Sequence, residues 1–127
     1  MAFEFLRAEN DASPIEKEIV ATNGTTYNHG CLVAFGSAGT AVTSSTNAEF
    51  VYTGKTTVAK TGDILSVIPV LPEYEFETTF SADASAVKAG AKVTVTGEQA
   101  TATTASGIFQ LLAAGGVSGT KAVGRFA

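Results

Sequence analysis

A chain of 127 residues suffices for one domain that buries roughly two-thirds of the surface its unfolded form exposes. With 18 threonines, 13 glycines, no tryptophan and one methionine, the composition favours pleated strands and tight turns over helices, so the expected class is all-β. The net charge of −4 includes no cluster of Lys and Arg able to displace counterions from phosphates, which argues against nucleic acid as a partner.

The first stretch, "MAFEFLRAENDASPIEKE" (residues 1–18), carries −3 of that charge and no glycine. It lacks the long apolar core and small-residue cleavage site of a leader, and nowhere does an apolar run approach a membrane span. The expectation is a chain made and folded in a reducing cytoplasm, with no membrane partner. Phe3 and Phe5 alternate with Glu4, a pattern suited to an extended segment laid on a surface. Composition changes at Ile19, so the chain divides into an N-terminal arm, 1–18, and a single β-rich domain, 19–127.

From Ile19 onward, strand-like runs alternate with turn residues every eight to twelve positions, the spacing of sandwiches and barrels. Strands are expected near 19–21, 31–35, 41–43, 49–57, 63–71, 74–80, 92–96, 99–103, 108–113 and 122–126. Asn23-Gly24 and Gly97-Glu98 read as hairpin turns. Residues 81–90 read as one helical turn closed by Gly90 or as a long loop. Pro69 and Pro72 mark a sheet edge or a crossing between layers. The expected core takes Val51, Val58, Ile64, Val67 and Ile68 from the first half, and Phe76, Phe80, Val93, Val95, Phe109 and Leu111 from the second. The architecture is a compact small β-sandwich or β-barrel of short antiparallel strands. Spacing alone does not encode strand order, so both stay open.

Reactive groups are scarce. His29 is the only histidine and Cys31 the only cysteine. No disulfide can form within the chain, and one His with one Cys makes neither a zinc site nor an oriented nucleophile pair. The expected reading is a loop histidine beside a buried cysteine. Glu73, Glu75 and Glu77 alternate on one strand face, opposite Tyr74 and Phe76. Such a face is solvated or forms an interface, with calcium binding and then inverting glycoside hydrolysis as the chemical alternatives. "GSAG" around Ser37 lacks the spacing of a nucleophile elbow, and the glycines at 115–116 lack the lysine of a phosphate loop. No catalytic residue, metal or cofactor is expected, and the chain does not read as an enzyme.

Three stretches carry a resemblance. An apolar strand leads into "PEYEFETTF"; "AVKAGAKVTVTGEQATATT" sets a small-residue turn before a strand, a tight turn and a threonine-rich strand; "GIFQLLAAGGVSGTKAVGRF" forms a closing hairpin with a late arginine. Together, over about Pro69–Phe126, they resemble the tailed-phage head decoration proteins, also called capsid cement proteins. The N-terminal half departs more from that pattern, and residues 1–18 have no firm counterpart in it. The resemblance implies a β-rich protein on the outer surface of a matured icosahedral capsid, with the major capsid protein as partner. A homo-oligomer is expected with it, a trimer in preference, located in the virion. The candidate capsid- or subunit-interface residues are Phe3, Phe5, Leu6 and Arg7 of the arm and Glu73, Glu75 and Glu77 of the acidic face. Two other readings compete: a carbohydrate-binding or adhesin module stacking sugars on Tyr27, Tyr52 and Tyr74, and a hydrolase built on the three glutamates.

Overall fold

A computed structural model describes residues 2–8 and 11–127. The described residues are all-β: they form fourteen short strands and no helix. The first seven are β1 (Glu4–Ala8), β2 (Lys17–Val20), β3 (Thr26–Tyr27), β4 (Leu32–Phe35), β5 (Ala41–Thr43), β6 (Phe50–Tyr52) and β7 (Thr57–Val58). The rest are β8 (Ile64–Pro69), β9 (Tyr74–Thr79), β10 (Lys92–Val93), β11 (Val95–Thr96), β12 (Gln99–Ala100), β13 (Phe109–Leu111) and β14 (Lys121–Phe126).

Two five-stranded sheets organise them. The first runs β2-β8-β6-β4-β5, and its edges meet where Ala21, just past β2, bridges Ala41 at the start of β5. The sheet thereby curls into a small barrel. Thr22 Oγ1 and the Tyr27 hydroxyl both donate to the Ala41 carbonyl, at 2.7 and 2.6 Å, so a buried tyrosine finds its partner at the closure point. Ile19, Val33, Phe50, Tyr52, Leu65 and Val67 fill the interior, together with Tyr27 from the β3–β7 ribbon.

The second sheet runs β1-β9-β14-β13-β10, antiparallel throughout. It packs on the outside of the barrel. Leu32, Val51 and Ile68 lie side by side in register across β4, β6 and β8 and belong to the same core as Phe76, Phe109 and Phe126. The barrel sheet is therefore buried on both faces at its centre, which is why all three residues of β6 are buried. Pro69 ends β8, and a turn whose Tyr74 N–H donates to the Leu71 carbonyl at 3.0 Å carries the chain across to β9. This is the crossing between layers that the two prolines suggested.

The N-terminal segment differs from the arm expected over residues 1–18. β1 pairs with β9, and β2 pairs with β8 inside the barrel. Phe3 is 1 % exposed and meets the rings of Phe109 and Phe126, each at 5.3 Å, so it is a core residue and not a projecting one. Phe5, half-buried, stacks edge-on against Tyr74 and Phe76. The acids that made the segment look solvated are, at Glu4, the outward half of an alternating strand. Met1, Glu9 and Asn10 of that stretch lie outside the described residues.

Other expectations shift for local reasons. Val58 and Ile64 are exposed at 60 % and 53 %: Val58 sits on a two-stranded ribbon, and Ile64 pairs with Val20, itself exposed, on the outside of the barrel. The strand expected over 49–57 breaks into β6 and β7 at Gly54, where a side chain would strike the Tyr52 ring. The Asn23-Gly24 turn links β2 to β3, which pair with different partners, so it closes no hairpin. Gly97-Glu98 does, joining β11 and β12 with Gly97 at φ 55°, as the first residue of a type II′ turn requires. Residues 81–90 form a loop.

Two outcomes follow. Phe3→Ala should destabilise by about 3–5 kcal/mol in denaturant unfolding, as for a core phenylalanine, whereas an arm would cost almost nothing. Gly124→Ala should cost about 1–3 kcal/mol, because the added carbon would meet the Gln110 carbonyl and lie 2.9 Å from the Phe109 ring.

Candidate functional site

The inward phenylalanines decide what the second sheet shows to solvent. Side chains alternate along a strand, so each residue beside a buried one in β1, β9 and β14 points out. In β9 the burial alternates strictly, with Tyr74, Phe76 and Thr78 in and Glu75 and Glu77 out. In β14, Ala122, Gly124 and Phe126 are in, which leaves Lys121, Val123 and Arg125 out. β1 contributes Glu4 opposite Glu77 and, after an irregularity at Leu6, Arg7 opposite Glu75.

These side chains form a face of interspersed charge. Arg7 Nε lies 3.0 Å from Glu75 Oε1, and Lys121 Nζ lies 3.9 Å from Glu77 Oε2. Arg125 Nε donates to Gln110 Oε1 at 3.0 Å on the neighbouring β13. The pairs sit in water: the Arg7 side chain is 58 % exposed. Each contributes about 0–1 kcal/mol, so the face does little for stability and much for what can approach it.

Of the residues named from sequence, Arg7, Glu75 and Glu77 are brought together here, and Glu73 lies exposed in the turn before β9. Leu6 is half-buried at the strand irregularity, lining a groove of about 300 Å3 between β1 and residues 11–14. Phe3 is removed from the set by its burial. Gln110, Lys121 and Arg125 were not singled out. The alternation in "KAVGRF" marks the last two as outward-facing, but only the order β9-β14-β13 sets them beside the glutamates.

With Glu75 and Glu77 each held by a cation, the glutamates form an open, charge-paired surface. Tyr27, Tyr52 and Tyr74 are 0 %, 6 % and 4 % exposed, so none offers a ring for sugar stacking. Among the described residues no cluster of three His, Cys, Asp or Glu side chains has the geometry to hold a metal ion.

A second feature is a polar cleft of about 310 Å3 at the barrel mouth, between Thr26, Asn28 and Thr43 on one side and the Gly97-Glu98 turn on the other. Cys31 lies at its edge, buried and unpaired. Burial, with the Glu98 charge adding to it, pushes the Cys31 thiol up to about 11. At pH 8 only about one molecule in a thousand would carry the thiolate that reacts. Iodoacetamide should therefore modify native Cys31 far more slowly than the same residue in denaturant; equal rates would show an accessible, reactive thiol.

No protein-family model matches the chain, and no curated protein matches it.

Proposed function

We propose that this protein is a capsid decoration protein, binding the outer surface of an icosahedral phage shell through the charged face of its second sheet. The observation that carries the reading is the segment resembling the decoration family. From β9 to β14 it supplies four of the five strands of that sheet, and its closing hairpin places Phe109 opposite Phe126 and Gln110 opposite Arg125. A role in cementing asks for a stiff fold and a broad surface in place of a reactive pocket. The barrel with a second sheet packed on it and the open charge-paired face are consistent with such a role. Many weak contacts repeated over a symmetric lattice sum to strong attachment.

On this reading the major capsid protein is the partner, Arg7, Glu75, Glu77, Lys121 and Arg125 make the contacts, and the protein assembles as a trimer in the virion.

The test is co-sedimentation with expanded phage shells assembled from purified major capsid protein. The wild-type chain should pellet with the shells. The triple variant Arg7→Glu, Lys121→Glu, Arg125→Glu should lose about tenfold or more in affinity while keeping its circular dichroism and unfolding midpoint nearly unchanged. A wild-type protein that stays in the supernatant with intact shells overturns the proposal. A variant that binds as well as wild type moves the interface elsewhere.

A further inference from the structure

His29 stands where three segments of chain meet. It lies in the turn between β3 and β4, closed by a Cys31 N–H to Asn28 carbonyl bond at 3.0 Å. Its own N–H donates to Thr56 Oγ1 at 3.0 Å, in the loop after β6. The next residue, Gly30, receives the Phe3 N–H on its carbonyl at 3.1 Å and donates its own N–H to Tyr52 at 2.9 Å. Gly30 has φ 76°, and a side chain there would run into Ala2 and lie 2.8 Å from the Phe3 nitrogen. The turn thus presses directly on the start of β1.

The imidazole spans the same junction. Nδ1 lies 2.8 Å from the Gly54 carbonyl oxygen, and Nε2 lies 2.8 Å from Glu4 Oε1. Both oxygens can only accept. A neutral imidazole carries one N–H and can satisfy one of them, leaving a lone pair facing the other; the imidazolium satisfies both.

We propose that His29 is a protonation-dependent latch, which in its charged form ties the start of β1 to the barrel loop at residues 53–56. The charged group acting on the ring is Glu4 of β1. Glu77, opposite Glu4 on β9, is engaged by Lys121, and the loop presents the Gly54 carbonyl. The hydrogen bond to Glu4, then that to Gly54, raises the His29 pKa above 6.5 against a smaller opposing effect of burial. A raised folded value fixes the sign. The latch contributes fully below pH 6.5, the ordinary value, and is lost as pH climbs through the folded value. Because Phe3 is locked in the core, losing the proton loosens the first residues of β1 without expelling the strand.

His29 is the only histidine, so its ring signals in the intact chain read this site alone. Nitrogen-15 NMR between about pH 5 and pH 9 should show both ring nitrogens protonated on the acid side and a midpoint above 6.5. Hydrogen-exchange protection at the Phe3 amide should fall by about two- to fivefold across the same midpoint. Glu4→Gln should lower the midpoint, and His29→Ala should abolish the step in Phe3 protection while the rest of the spectrum keeps its native dispersion. A wild-type midpoint at or below 6.5, an unchanged midpoint in Glu4→Gln, a Phe3 protection flat across the wild-type titration, or a step that persists in His29→Ala would each overturn the latch.

Discussion

The structure depends on four phenylalanine rings that meet between the two sheets. Phe3, Phe76, Phe109 and Phe126 come from the segment before β1, from β9, from β13 and from β14, and four of their ring pairs lie 5.2–5.5 Å apart. Fully burying such side chains contributes about 1.5–3 kcal/mol each before their edge-to-face contacts are counted. Their sequence positions matter as much as their size. They join the first and last strands of the described chain to its middle, so the cluster assembles only when both ends of the chain have arrived. Most contacts in the fold are long-range in the same sense, which is the pattern of a slow-folding but cooperative β-protein.

That cluster also determines the exposed chemistry. Once Phe76 and Phe126 point inward, the two-residue period of a strand leaves Glu75, Glu77 and Arg125 no choice but to point outward. The approach of β13 to β14 is tight enough to favour glycine at position 124, because the Gln110 carbonyl and the Phe109 ring occupy the space a side chain would need. Core and surface are thus two readings of one alternation.

How much of this was legible depended on whether the deciding fact was local. The all-β class, the Gly97-Glu98 turn, and the burial of Phe76, Phe80, Val93, Val95, Phe109 and Leu111 follow from composition and period two, and the structure agrees on each. Ile64 misled because a barrel sheet covered on both sides makes every position look like core, and Val58 because it belongs to a separate two-stranded ribbon. The N-terminal segment misled because its acids dominate its composition. Burial of Ala8 needed the partner strand β9, some seventy residues away, and burial of Phe3 needed Phe109 and Phe126, farther still along the chain. Lys121 and Arg125 were missed for the same reason: pairing, unlike periodicity, is not written in neighbouring residues.

The separation of the two faces has a consequence for how such a surface can change. The outward charge pairs are exposed and contribute little to folding, whereas the inward rings carry the stability. Substitutions at Glu75, Glu77, Lys121 or Arg125 therefore alter what the face attracts while leaving the cluster behind it intact. Surface charge and core stability thus sit on opposite sides of the same strands. The exception is Glu4. It belongs to the outward face through its register with Glu77, yet its carboxylate is turned to His29 and joins β1 to the barrel. At that one position the surface cannot be rewritten without touching how the first strand is held.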